Sequence, residues 1–232
     1  MSRPSTEEVA AAWTARVATK HEAAGVDTSP LMQIGLLEEL SKGQPVSRQR
    51  ASELLGLPRQ KIDDLFEAID AAGGQLNDNG DFIGMALTLK PTRHRIRING
   101  NDLYAWCSLD TILLPGVLET TGEIESTDTV TGGTIRLTVT ADEVVEVDPP
   151  SAVTSVFVPG RNPTETGDDQ PVVGPQSEVC SSMLFFTSRE IAEQALENLP
   201  NIAILTAEEA FDLARQTWTE PTRALRKKAA AG

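Results

Sequence analysis

Hydrophobic and polar positions alternate in two rhythms along this chain, a helical one first and a strand-like one after it. Leu31, Ile34, Leu36, Leu37 and Leu40 recur three or four apart, and Lys42-Gly43 closes that helix. Ser47 is placed to cap a short helix over 48–55, and Gly56-Leu57 then turns the chain. Pro58 suits the first position of the next helix, whose Ile62, Leu65, Phe66 and Ile69 share one face before Gly73-Gly74 stops it. Asn77-Asp78-Asn79-Gly80 reads as a hairpin turn between Gln75-Leu76 and the run 82–89. Helix, short helix, turn, helix and hairpin together make a winged-helix-like pattern.

From Thr88 onward the period shortens towards two. His94-Arg95-Ile96-Arg97-Ile98 alternates as a strand does, and Asn99-Gly100 forms a turn after it. Asp102 is placed to cap a helix over 103–114 that stops near Pro115-Gly116. Strand-like runs follow at 122–126, 134–140, 144–147 and 153–158, with Thr131-Gly132-Gly133 as a hairpin turn. Residues 159–177 are rich in Gly, Pro and Asp, a loop long enough for a lid or for disorder. The run 183–187 is expected as a strand, 188–199 as a helix opened by Ser188, and 202–205 as a strand. Thr206 caps a last helix to about Trp218, and the basic, Ala-rich tail 223–232 is expected to fray. The expected fold class is α+β: an N-terminal helical, winged-helix-like domain over 1–87, then a mixed, largely antiparallel sheet domain with flanking helices over 88–232.

Charge narrows the functions this pattern allows. The net charge of -14 falls almost entirely on the back half, with -1 over residues 1–100 and -13 over 101–232. Such a chain is a poor general nucleic-acid binder, because that affinity needs Lys and Arg to displace phosphate counterions. The helix over 58–70 would be the recognition helix of a winged helix, yet it carries two basic residues against four acidic ones. The helical module is therefore expected as a packing unit, without nucleic acid as a partner. No run approaches a membrane span, and residues 1–24 lack the apolar core of a signal peptide. A cytoplasmic location follows as the expectation. There a structural disulfide is uncommon, so Cys107 and Cys180, the only cysteines, are read as thiols.

Cys107 and Asp110 are three apart on the expected helix and so share a face, with Tyr104 and Trp106 beside them as a possible apolar wall. A thiol next to a carboxyl supports metal–thiolate and proton-transfer chemistry, although a buried structural Cys near a surface Asp gives the same pattern. Two thiolates from distant segments, Cys107 and Cys180, suit a soft, large cation. Zinc fits less well, because His21 and His94 have no finger-like spacing to either cysteine. Walker, dinucleotide-binding and Cys-x-x-Cys motifs are absent.

The run Leu103-Tyr104-Ala105-Trp106-Cys107-Ser108-Leu109-Asp110-Thr111 closely resembles the catalytic signature of the organomercurial (alkylmercury) lyases. Leu40-Ser41-Lys42-Gly43-Gln44-Pro45-Val46-Ser47-Arg48, Gly84-Met85-Ala86-Leu87-Thr88-Leu89, Leu137-Thr138-Val139 and Cys180 followed by Phe185-Phe186 extend the resemblance over about 36–211. Departures are Ser181, where some relatives have a further cysteine, the lack of another cysteine near Asp128, and a longer loop over 159–177. The resemblance implies Cys107, Cys180 and Asp110 as the catalytic residues and mercury ligands. It implies protonolysis of a carbon–mercury bond, R–Hg⁺ plus a proton giving R–H and Hg²⁺, for mercury detoxification. No organic cofactor is implied; exogenous small thiols would release the product, and mercuric reductase would accept it. Two other readings remain open, a mercury-sensing winged-helix regulator and a non-catalytic thiol metal binder. The acidic recognition helix counts against the first, and a paired proton donor at Asp110 counts against the second.

Overall fold

The computed structural model describes residues 3–23, 30–160 and 177–231. Helix α1 (Thr6–Ala23) docks through buried Val9 and Trp13, whose indole N–H donates to the Phe157 carbonyl at 2.8 Å. Helices α2 (Pro30–Leu40), α3 (Arg48–Leu55) and α4 (Arg59–Ala71) fall where the helical rhythm placed them. Ser47 caps α3 by accepting from the Arg50 N–H at 3.1 Å, and Gly56 ends it in the left-handed region at φ 64°. The apolar stripe of α4 buries Ile62, Leu65, Phe66 and Ile69, with the Phe66 ring 6.3 Å from that of Phe82. The expected hairpin pairs β1 (Gln75–Leu76) with β2 (Phe82–Met85).

That hairpin is the edge of a larger sheet. It continues through β3 (Leu87–Thr88), β4 (His94–Ile98) and β5 (Asn101–Ala105), and, beyond helix α5 (Ser108–Val117), through β6 (Gly122–Thr127), β7 (Thr134–Val139) and β8 (Val144–Asp148). The strand order is β1-β2-β3-β5-β4-β6-β7-β8, and the pairings are antiparallel throughout rather than mixed.

The helix expected over 103–114 is corrected here. Residues Asn101–Ala105 are a strand, and the helix begins only at Ser108. Asn99 and Gly100 both take positive φ, 51° and 81°. That pair makes a two-residue hairpin of the type whose twist suits antiparallel strands. Ile98 therefore faces Asn101, and the chain must return along β4. Asp102 does not cap a helix but binds Arg95 and Arg97, each at 2.9 Å.

A second, smaller sheet has the order β10-β9-β11, from β9 (Val153–Phe157), β10 (Phe185–Phe186) and β11 (Ile202–Thr206). Between β9 and β10 lies the one-turn helix α6 (Glu178–Ser181), and α7 (Arg189–Ala195) joins β10 to β11. Only Phe185–Phe186 of the expected strand 183–187 is paired. The loop expected over 159–177 falls mainly on 161–176, outside the described residues. Thr206 caps α8 (Ala207–Ala214) in a capping box with Glu209. The chain then passes through a π-helical turn (Arg215–Thr219) into α9 (Glu220–Ala231). The tail expected to fray is thus helical. Arg223 holds it by binding Asp142 at 2.9 Å, and Arg226 by binding Glu38 and Glu119.

Helix α5 packs on β4, β5 and β6 of the large sheet, on β9 of the small one and on α8. Eight of its ten residues are buried, so it is apolar nearly all round, as a helix inside a core must be. Asp128 fastens the β6–β7 turn to the end of β10. Its carboxylate accepts from the Val130 and Thr131 N–H groups and from both the N–H and hydroxyl of Thr187. Burial alone would raise this acid, but the four donors hold it below the usual range. Asp128→Ala would strand those donors. It is expected to cost about 3 kcal/mol in urea unfolding; a loss of a few tenths would mean that the turn is not anchored there.

Candidate active site

Cys107 is the residue just before the first turn of α5, in extended backbone with φ -146°. Asp110 lies in that first turn, three residues on. This is the spacing of a capping box, with a thiol where Ser usually stands and a carboxylate at the third helical position. The Cys107 thiol donates to Asp110 Oδ2 at 3.1 Å. The sequence expectation that the two side chains meet is met, but at a helix start and not along a helix face.

Cys180 arrives from the other sheet. It sits in α6, where its N–H donates to Ser177 Oγ at 3.2 Å and its carbonyl accepts from the Met183 N–H at 3.2 Å. One ligand atom each from Cys107, Asp110 and Cys180 lies within 4.8 Å of the other two. Both cysteines are free and buried, while Asp110 is only half-buried and is the member that reaches solvent. Among the described residues this is the one cluster able to hold a metal ion.

Burial governs the protonation of the trio. Cys107 is pushed well above the ordinary thiol range, first by desolvation and then by contact with Cys180 and by the Asp110 charge. The Asp110 backbone N–H pulls the other way and loses. Burial also raises Asp110, to about 6, against hydrogen bonds from the Cys107 thiol and N–H. At neutral pH the arrangement is a thiol held against an ionised carboxylate. A helix N-terminus favours an anion by only about 0.3–1 kcal/mol, so it does not reverse the burial. The thiol proton must leave when a soft metal binds, and the Asp110 carboxylate lies 3.1 Å from that sulfur.

The set is two soft sulfurs and one oxygen with no imidazole. His94 does not join it: the ring is buried, its Nδ1 is 2.8 Å from Ser126 Oγ, and burial lowers it to about 3, so it is neutral core. Residues 87–219 match the family model of the alkylmercury lyases. The chain is 34% identical to an alkylmercury lyase of Staphylococcus epidermidis over 78% of each protein. The chain belongs to the alkylmercury lyase family. It is also 31% identical to the Pseudomonas putida alkylmercury lyase, over 78% of this chain and 79% of that one. In fold it resembles the crystal structure of the mercury-bound form of MerB2, with a TM-score of 0.70 at 19% identity over 93% of this chain and 99% of that one.

Of the two aromatics flanking Cys107, Trp106 is buried and Tyr104 half-buried. The Trp106 indole donates to Gln75 Oε1 at 3.3 Å, towards β1, and half-buried Tyr104 lies on the face of β5 opposite buried Leu103 and Ala105. Sequence reading also missed the polar groups that hold the two sulfur-bearing segments. The Ser108 N–H donates to the Met183 carbonyl at 3.2 Å, and Ser155 Oγ binds Ser182 and Leu184. The only signal available was two hydroxyl residues, Thr154 and Ser155, inside an otherwise apolar strand.

Proposed function

We propose that this protein cleaves the carbon–mercury bond of organomercurials by protonolysis, with Cys107 and Cys180 as the mercury-binding sulfurs and Asp110 as the proton relay. The observation that carries the reading is the cluster of two thiols and one half-buried carboxylate within 4.8 Å, in a chain of this family. Mercury enters as substrate, R–Hg bound to a small thiolate. Cys107 displaces that thiolate, which leaves with the Cys107 proton. Cys180 then adds to mercury and its proton passes to the Asp110 carboxylate. Two sulfurs donating into mercury weaken its bond to carbon and make that carbon more basic. Asp110 protonates the carbon, R–H departs, and Hg²⁺ remains between two thiolates with Asp110 ionised again. Two exogenous thiols carry Hg²⁺ away and return protons to both cysteines. A mercuric reductase is the natural acceptor of that product, and the cytoplasm, rich in small thiols, is the fitting compartment.

The helices α2 to α4 with the β1–β2 hairpin fit a winged-helix-like module over residues 1–87, serving the lyase domain over 88–232 as a packing unit. Asp63 engages both Arg48 and Arg59, each at 3.0 Å, which removes cations a DNA backbone would need.

Headspace gas chromatography of methane from methylmercury with excess thiol tests the function; no methane above the protein-free rate would end it. The acid limb of kcat/KM is expected near pH 6. Below that, Asp110 already holds a proton and cannot accept the one released by sulfur. A limb unchanged in Asp110→Asn would remove Asp110 from the relay.

A further inference from the structure

The core strand β9 runs Val153-Thr154-Ser155-Val156-Phe157 and every residue of it is buried. Two hydroxyls in its middle are an unusual choice. Valine would fill a buried strand position with no polar atom to satisfy, whereas a buried hydroxyl is destabilising unless it finds a partner. Both are satisfied, and by the two segments that bear the sulfurs. Thr154 Oγ1 is 2.6 Å from Ser108 Oγ, one residue after Cys107. Ser155 Oγ donates to the Ser182 carbonyl at 2.7 Å and accepts from the Leu184 N–H at 2.8 Å, just after Cys180. The Ser155 N–H donates to the Leu184 carbonyl at 2.8 Å. The bond from Ser108 N–H to the Met183 carbonyl, 3.2 Å long, closes the frame.

We propose that Thr154 and Ser155 are positioning residues, a brace on β9 that sets the separation of Cys107 and Cys180 for a single mercury atom. Neighbouring strand residues point to opposite faces. One dipeptide can therefore grip the start of α5 with one side chain and the exit of α6 with the next. A rigid strand between them converts two independent thiols into a chelate, whose second sulfur acts at a high effective concentration. The inference rests on the function proposed above only for its catalytic consequence; the geometric part stands on mercury retention alone.

The test uses Thr154→Val, which keeps shape and removes the hydroxyl, and Ser155→Ala, with Thr154→Ser as the conservative rescue. Circular dichroism sets a temperature at which each is fully folded. Two readouts follow: single-turnover methane release from saturating methylmercury, and the fraction of Hg²⁺ kept against competing dithiothreitol. Thr154→Val and Ser155→Ala are expected to lose about ten- to a hundredfold in the single-turnover rate and to give up Hg²⁺ more readily. Thr154→Ser is expected to restore both. A purely structural pair would lower the melting temperature and leave both readouts of the folded protein unchanged, which would overturn the brace. If Ser155→Ala does not fold, the near-isosteric Thr154→Val decides. Wild-type protein that releases no methane would sink the lyase reading, while the Hg²⁺ competition would still judge the brace.

Discussion

Methane release is expected to fall on the order of a thousandfold or more in Cys107→Ser and in Cys180→Ser, each alone. Serine keeps nearly the same volume, so the buried sites at 0% and 2% exposure are disturbed mainly by chemistry. A hydroxyl is a hard, weakly acidic ligand that mercury does not prefer to the thiols in solution. Without Cys107 there is no stable first bond. Without Cys180 mercury binds one sulfur, its bond to carbon is not weakened further, and Asp110 receives no proton to deliver. Because the residues act in series, the double variant should be little worse than either single one. Each variant should keep its circular dichroism spectrum. Undiminished activity in the double variant would refute the assignment outright.

Asp110→Asn is expected to abolish turnover and yet make the protein more stable at neutral pH. Burial raises the Asp110 acid to about 6, above the unfolded value of about 3.9. Below about pH 4 the group is protonated in both states and contributes nothing unfavourable. Between there and about 6 the folded state holds the extra proton, so stability drains away as pH rises. Above 6 the full penalty applies, about 2 kcal/mol after allowing for partial exposure. Asparagine is neutral at every pH and still accepts from the Cys107 thiol. Urea unfolding at pH 7.5 should therefore show the variant more stable by roughly that amount, with the difference gone near pH 4. A variant less stable than wild type at both pH values would mean that the carboxylate is paired rather than strained. Under the proposed function, the carboxylate opposes folding because its task needs a base beside a buried thiol.

Local chemistry made the front of the chain readable. The stripe from Ile62 to Ile69, the Ser47 cap and the Asn77–Gly80 turn each act within a few residues, so sequence alone located α3, α4 and the β1–β2 hairpin. Thr206 announced the start of α8 in the same way. The misreading at 103–107 had a specific cause: Asp102 is a good cap by composition, but the Asn99-Gly100 turn had already committed the chain to pairing with β4. Pairing over five residues outweighs the propensity of one cap. The tail was misjudged because its anchors, Asp142, Glu119 and Glu38, lie far away in sequence.

The candidate reacting groups were named by the sequence: Cys107 and Asp110 at a spacing of three, a lone distant Cys180, and the signature around them. A spacing of three joins the residue before a helix to the third residue within it, as it joins two residues along a helix face, so the pair meets in either case. What the sequence could not hold is the distance from Cys107 to Cys180, which belong to segments packed around different sheets. Only the folding of α5 against β9, with α6 delivered beside it, puts the second sulfur within 4.8 Å of the first and gives Asp110 the burial that lifts it to about 6. Desolvation is a property of everything packed around a group, so no pattern along the chain encodes it by itself.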